Sequence, residues 1–155
     1  MNNDLVIRPA TEADLPSVVA LLAADEIGQS REDASIPLDT RYLSAFMAIE
    51  QDCNQLLAVG EVNDRVMACL QLSFIPGLSR FGSWRGQIES VRISRAYRGQ
   101  GIGHTIFQWA IDECRRRNCN LVQLTTDKSR LDAARFYESL GFVASHVGMK
   151  LTFSS

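Results

Sequence analysis

ESVRISRAYRGQGIG, residues 89 to 103, carries the clearest pattern in this chain of 155 residues. It has the form of a strand, then a cationic loop, then the first turn of a helix. Gly99, Gly101 and Gly103 stand at alternate positions, where glycine lets the backbone approach a ligand closely. A helix that begins there offers unpaired N–H groups and the positive end of its dipole. The stretch therefore predicts an anion site, most naturally for phosphate, with Arg98 at its edge.

Two familiar nucleotide loops fit this pattern poorly. A Rossmann loop has the spacing G-x-G-x-x-G after the first strand of its domain, whereas these glycines lie in the second half of the chain. A P-loop ends in Gly-Lys-Ser/Thr, and here Gly103 is followed by His104. A glycine-rich helix start without any ligand is the remaining alternative, although three glycines weaken a helix start.

Composition narrows the class of protein. The length suits one domain, residues 1–155, and a net charge of -2 gives no overall attraction for nucleic acid or an anionic membrane. No apolar run approaches the roughly 20 residues that span a bilayer, and the N-terminus lacks a signal-peptide profile. The four cysteines have neither metal-type nor disulfide-type spacing, so we expect reduced thiols, no metal site and a cytoplasmic location.

Hydrophobic periodicity and turn residues predict the order β-α-α-β-β-β-α-β-α-β-β, a mixed sheet with helices on its faces. The predicted strands are Leu5 to Arg8, Leu56 to Val62, Arg65 to Ile75, Gln87 to Ile93, Leu121 to Thr125, Phe142 to His146 and Met149 to Phe153. The predicted helices follow a cap at Thr11 and cover Thr40 to Asp52, Gly101 to Asn118 and Arg130 to Leu140.

Three motifs stand in order along the chain: Ile7 to Thr11 with Asp14 after it; Arg98-x-x-Gly101-x-Gly103 after a strand that bears Glu89; and Ala133, Tyr137, Gly141 and Phe142. Together they resemble the GNAT superfamily of N-acetyltransferases over nearly the whole chain. The run from Leu124 to Tyr137 is similar to aminoalkylphosphonate acetyltransferases and their relatives. One position departs from the pattern, because Arg130 stands where many members have an Asn that helps to hold the pantetheine arm.

The resemblance implies an α/β (α+β) fold with about six to seven strands, mostly antiparallel, and about four helices. Its sheet would be splayed, so that the strand at residues 89–93 parts from the strand at 121–125 and the pantetheine arm of acetyl-coenzyme A lies in the gap. The cofactor-binding residues would be Val91, Arg92, Ile93, Arg98, Gly99, Gln100, Gly101, Ile102, Gly103, His104, Arg130, Ala133, Phe136 and Tyr137.

The resemblance also implies direct attack of a primary amine on the thioester in a ternary complex. Glu89, on the strand beside the acetyl group, is the candidate general base, acting directly or through a water molecule, and burial would raise its pKa toward a useful range. Tyr137 stands where the family has its general acid and would protonate the leaving thiolate. The alternatives are that Glu89 faces solvent or pairs with Arg92, and that Tyr137 only packs in the core.

The acceptor site would lie in the two loops Asp25 to Asp39 and Gly77 to Trp84. Its candidate residues are Glu26, Arg31, Arg80, Trp84 and His146. A small-molecule amine is the favoured acceptor, and protein N-termini or lysines are the alternative. A different class, an acyl-coenzyme A sensor without turnover, also stays open. Many members dimerise through their C-terminal strands, and the apolar run from Phe142 to Phe153 would allow a homodimer.

Overall fold

One open sheet organises the fold, and its strands follow each other in the order β1-β2-β3-β4-β5. The computed structural model describes residues 5–154. All neighbouring strands are antiparallel except β4 and β5, which are parallel. The strands are β1 Val6–Pro9, β2 Gln55–Val62, β3 Arg65–Ile75, β4 Arg85–Ile93 and β5 Leu121–Leu124. The predicted class, a mixed and mostly antiparallel α/β fold, is confirmed.

Helices cover both faces of this sheet. They are α1 Leu15–Ala23, α2 Thr40–Gln51, a four-residue turn α3 Ser79–Gly82, α4 Ile102–Arg116 and α5 Leu131–Ser139. Successive strand residues point to opposite faces, so Val59 packs with Val18 of α1 whereas Ala58 belongs to the core that contains Ile106 of α4. We call these two surfaces the α1 face and the α4 face.

Local sequence signals set the first elements as predicted. The Asp14 carboxylate accepts hydrogen bonds from the N–H and the Oγ1 of Thr11, which closes the turn before α1. Asn63 and Asp64 both have positive φ, 50° and 59°, as the two central residues of a tight hairpin turn require. These signals explain why β1, α1 and the β2–β3 hairpin could be predicted from sequence.

A bulge in β4 decides which of its side chains lie on the α1 face. Gln71 of β3 lies opposite Glu89 and Cys69 lies opposite Arg92, so two residues of β4 face one residue of β3. Ser90 absorbs the extra residue with a φ of 53°. Without the bulge, strict alternation would place Glu89 and Arg92 on opposite faces. With it, both lie on the α1 face.

The two predicted C-terminal strands are absent. Residues 142–154 have no regular secondary structure, so the sheet has five strands within the described residues rather than six or seven. The alternation of apolar residues is present, but a strand also needs a hydrogen-bonded neighbour and this segment does not pair with β5. Its apolar side chains are therefore left exposed: Val143, Val147, Met149, Leu151 and Phe153.

Candidate active site

A wedge opens between β4 and β5. The two strands pair from Arg85 opposite Leu121 to Ile88 opposite Leu124, and the pairing ends there. β4 continues for five more residues, Glu89 to Ile93, that pair only with β3 in the part of the chain that the structure describes. One edge of this segment therefore offers backbone N–H and C=O groups to a ligand.

Arginine side chains meet the carbonyls of this open edge. The N–H of Ser94 donates a hydrogen bond to Met67 O on β3. Backbone groups of successive strand residues point to opposite sides of the strand, so the N–H and C=O of Ile93 point away from β3, toward the open edge. The Ile93 carbonyl accepts a hydrogen bond from Arg98 Nε at 3.1 Å. The Val91 carbonyl accepts one from Arg92 Nη1 at 2.9 Å. Val91 and Ile93 are both among the residues that the GNAT resemblance implies for binding the cofactor.

The glycine loop is open at its surface. Gly99 and Gly101 have φ of 76° and 79°, a conformation that side chains disfavour, and a Cβ built on either would lie more than 4 Å from its neighbours. Gly101 is the N-cap of the 15-residue helix α4, and no side chain caps that end. The first-turn N–H groups therefore stay available to an anion. Ile102 contributes only its backbone here, because its side chain is buried in the core.

Close packing joins this loop to α5. A Cβ at Gly103 would lie 3.3 Å from Cζ of Phe136, which is why glycine suits this position. The Phe136 ring makes an edge contact with the exposed His104, with 5.2 Å between ring centroids. Ala133 is half-buried one turn before Phe136 on α5. Gln100 donates from its side chain to the Ala96 carbonyl at 3.0 Å, which fixes the loop before the helix.

Tyr137 lies on the inner side of α5. Its ring packs against Phe107 and Phe142, with centroids 5.4 Å and 6.3 Å away. Burial raises the pKa of the Tyr137 hydroxyl above its ordinary value of 10.0, and the positive charges of Arg130 and Arg92 partly oppose that rise. The hydroxyl is therefore protonated at neutral pH. Arg130, at the N-cap of α5, is itself exposed.

Glu89 is exposed on the α1 face, as one of the two alternatives to its role as base requires, and that role stays a prediction. Its regular pairing with Gln71, next to the buried Ile88, places it on the side where α1 and α2 pack. It also does not pair with Arg92. Instead Arg92 Nη2 lies 3.2 Å from Asp25 Oδ2, and both side chains are largely buried. This ion pair joins the segment after α1 to β4 at a position three residues beyond Glu89.

The segment between α1 and α2 forms a polar cavity of about 510 Å³. Arg31 lines it, whereas Glu26 is exposed and does not. Within the cavity Tyr42 donates its hydroxyl hydrogen to Glu32 Oε2 at 2.7 Å. Arg31 also lies near enough to Asp127, in the loop before α5, to lower the pKa of that carboxyl, although hydrogen bonds from Ser129 within that loop lower it more. The α1–α2 segment and the loop before α5 therefore approach each other.

Three predicted acceptor residues lie elsewhere. Arg80 and Trp84 stand before the first residue of β4, at the end where β4 and β5 are paired, whereas the wedge opens after Ile88. The Trp84 carbonyl accepts a hydrogen bond from the Asn120 N–H, the Trp84 N–H donates to Oδ1 of the Asn120 side chain, and the Trp84 ring packs on the core. His146 is exposed in the C-terminal segment, where its Nδ1 meets Ser145 Oγ at 2.7 Å. The structure does not bring these three to the wedge.

A second cavity, of about 140 Å³, lies between α1, α2 and the α1 face of the sheet. Sequence reasoning missed its polar residues, Gln71 and Ser90. The signal that could find them is strand register, because the hairpin turn sets Leu57 opposite Gln71 and the sheet then sets Gln71 opposite Glu89.

Two kinds of feature are absent from residues 5–154. Within them no group of three or more His, Cys, Asp or Glu side chains could hold a metal ion. Nor does this part of the chain contain a helix long and apolar enough to cross a membrane.

An open wedge that leads from a glycine loop at a helix start suggests a coenzyme A site, and comparison with known proteins decides the family. The model of the Acetyltransferase (GNAT) family matches residues 20–142. The chain belongs to the GNAT acetyltransferases. It is an acyltransferase, and acetyl-coenzyme A is its acetyl donor.

The chain is also similar to individual proteins and solved structures. The chain is 30% identical to aminoalkylphosphonate N-acetyltransferase of Salmonella typhimurium over an alignment of 140 residues. That alignment covers 90% of this chain and 86% of the relative. A transcriptional regulator from Bacillus halodurans C-125 has a crystal structure with a TM-score of 0.93 and 48% identity, covering 96% of this chain and 99% of that one. A predicted acetyltransferase from Clostridium acetobutylicum, solved with acetyl-CoA, shares the fold with a TM-score of 0.73 at 20% identity, and 96% of each chain is covered.

Proposed function

We propose that this GNAT protein transfers the acetyl group of acetyl-coenzyme A directly to the primary amine of a small molecule, in a ternary complex. The observation that carries the proposal is the open edge of β4 between Glu89 and Ile93, which starts beside a candidate base and runs toward the glycine loop. A polar cavity of about 510 Å³ on the acceptor side is within the size range of small-molecule sites.

The residues present fit the coenzyme. Uncapped N–H groups at the start of α4 and the open glycines Gly99 and Gly101 suit the pyrophosphate. Arg98 adds a positive charge at the same place. Along β4, the Val91 and Ile93 backbone groups suit the amides of the pantetheine arm, and the arginine donors that now hold their carbonyls would yield to those amides.

Two side chains would move the protons. Glu89 is exposed, so we infer that it takes the proton of the ammonium group through a water molecule rather than by direct contact. The amine nitrogen then bonds to the acetyl carbon, and the carbonyl π electrons move to the oxygen to give a tetrahedral oxyanion. As this oxyanion collapses the C–S bond breaks, and the nitrogen loses its second proton to water, which balances the proton that the thiolate takes. A backbone N–H near Val91 would stabilise the oxyanion. Tyr137 donates its hydroxyl proton to the departing thiolate, a role that suits a tyrosine kept protonated by burial.

Transfer by the purified protein tests this proposal. Acetyl-coenzyme A is offered with a panel of small primary amines, and thiol release is measured together with the acetylated product by mass spectrometry. We expect amine-dependent release with at least one small amine. Transfer only to peptide N-termini or lysines would favour a protein acetyltransferase. Tight coenzyme binding by calorimetry without transfer to any amine or peptide would favour an acyl-coenzyme A sensor.

We also propose that two copies form a dimer in the cytoplasm. The C-terminal segment carries apolar side chains at alternate positions from Val147 to Phe153, and each is at least 75% exposed. β5 has a neighbour on one edge only within the described residues. A second copy could supply the missing strand, because an unpaired edge and an alternating apolar segment are complementary. Four free cysteines support a reducing compartment.

A further inference from the structure

The 140 Å³ cavity between α1, α2 and the sheet, which we call the slot, is lined mainly by aliphatic and aromatic side chains. α1 contributes Val18 and Leu22, and α2 contributes Ala45 and Phe46. Gln71 and Ser90 are the polar residues of its sheet side. The slot opens to solvent at Ala45 and Ser90, which are exposed, so a ligand could enter it from outside.

The slot ends beside the candidate base. Gln71 and Glu89 are direct partners on neighbouring strands, so their Cβ atoms lie about 4.5–5.5 Å apart on the same face. Ser90, the bulge residue that follows Glu89, lines the slot itself. The bulge therefore sets an apolar space next to the place where the amine would lose its proton.

The charged and polar groups at this end of the slot suit a ligand that carries a positive charge. The Glu89 carboxylate is exposed where β4 parts from β5, and there it can meet an ammonium group. Gln71 Nε2 donates to Gln55 Oε1 at 3.2 Å, so its amide is held in a fixed orientation at the slot floor. A ligand with one charged and one apolar end would thus find a partner for each.

We propose that the slot receives an apolar group of the acceptor, so that the preferred acceptors are primary amines with a phenyl ring or a short branched alkyl group near the nitrogen. The size supports this class, since an engineered apolar cavity of about 150 Å³ takes up benzene. This inference rests on the proposed function and specifies its acceptor.

Matched amines and matched variants test the slot. Phenethylamine and ethylamine differ by the ring alone, and we expect kcat/KM to favour phenethylamine by about tenfold or more. Ala45→Phe fills the slot, so it lowers this preference about tenfold. Ala48→Phe is the control, because Ala48 is an exposed residue of the same helix that does not line the slot. It leaves the preference unchanged.

A binding measurement separates this inference from the proposed function. Calorimetry with phenethylamine, in the presence of coenzyme A, needs no turnover. Binding by the wild type that Ala45→Phe abolishes supports the slot even if no acetyl transfer occurs, in which case only the proposed function fails. Equal kcat/KM for the two amines, or equal binding to wild type and Ala45→Phe, overturns the slot while acetyl transfer to other amines stands.

Discussion

Tyr137 combines a buried ring with a hydroxyl whose pKa is raised by burial. Tyr137→Phe keeps the packing against Phe107 and removes only the hydroxyl group, which would carry the proton for the leaving thiolate. We expect kcat to fall about 100-fold, within the usual range for general acid catalysis, with little change in acetyl-coenzyme A affinity. Steady-state kinetics and calorimetry measure the two quantities. Tyr97→Phe is the control, and an unchanged kcat in Tyr137→Phe would assign the residue to packing alone.

Glu89 is the second residue whose role depends on proton transfer. Glu89→Gln keeps the size of the side chain and removes its basicity, so we expect kcat to fall about 10²-fold at neutral pH. The loss should shrink as the pH rises, because a growing fraction of the free amine is already deprotonated. The pH profile of kcat/KM distinguishes this from a structural effect. Glu138→Gln, an exposed change on α5, should leave the profile as it is.

The loop into α4 is the element that we propose to bind the coenzyme. Gly101 has a φ of 79°, which costs an alanine about 1–2 kcal/mol, so Gly101→Ala should distort the loop rather than crowd it. We expect weaker acetyl-coenzyme A binding by about tenfold or more, with a small fall in melting temperature. Calorimetry measures the affinity. Gly148→Ala is a matched glycine change whose Cβ makes an ordinary 3.7 Å contact with Thr125. Equal affinity in both variants would argue against the loop as the site.

Local sequence signals, such as capping and turn residues, predicted most of the helices and strands. Glycine after α5 predicts a left-handed end, and Gly141 indeed has a φ of 93°. The side on which Arg92 lies could not be predicted, because it depends on one extra residue at Ser90 that strand alternation does not reveal. Its partner Asp25 is 67 positions away in sequence, and only the packing of α1 on β4 brings the two together.

Placement across the whole molecule explains the remaining errors of sequence reasoning. The GNAT resemblance points to the loop around Trp84 as part of the acceptor site, but an extended strand separates Trp84 from Glu89. The predicted C-terminal strands had the right alternation and lacked a partner edge, which sequence periodicity does not test. The loop that would hold the phosphates is a continuous motif, so its residues could be named from the sequence, and their role in binding the cofactor stays a prediction.

The C-terminal segment also bears on whether two copies of the chain associate. The proposed dimer buries the apolar side of the C-terminal segment, which includes Leu151 at 82% exposed. Leu151→Lys should therefore shift the protein from dimer to monomer in sedimentation velocity. The neighbouring Thr152→Lys places the same charge on the other side of the segment and should stay dimeric. A wild-type protein that sediments as a monomer at all concentrations would contradict the dimer.

Acid stability depends on a cluster that joins three elements at one end of the sheet. Arg8 bonds both Asp14 and Glu61, and its guanidinium is the main cause that lowers the pKa of Asp14 from 3.8 to about 2. Since the folded-state pKa is the lower one, this stabilisation is complete above about pH 4 and is lost as the pH falls toward about 2.

Asp14→Asn tests this cluster. It should lower the free energy of unfolding at neutral pH by roughly 2 kcal/mol and flatten its dependence on pH in the acid range. Urea titrations at several pH values measure both effects. Asp64→Asn, in the exposed hairpin turn, should change neither. An acid transition that is identical in wild type and Asp14→Asn would place the acid-sensitive group elsewhere.

A strand edge left open inside a sheet can template the backbone of a foreign chain, which is one route to aggregation. The guanidinium groups on the Val91 and Ile93 carbonyls occupy the acceptors that such a chain would need. Arg98 is an exposed side chain that can move away, whereas Arg92 is largely buried and held by Asp25. If the coenzyme binds along this edge, the two arginines would cover it in the interval between one coenzyme leaving and the next arriving.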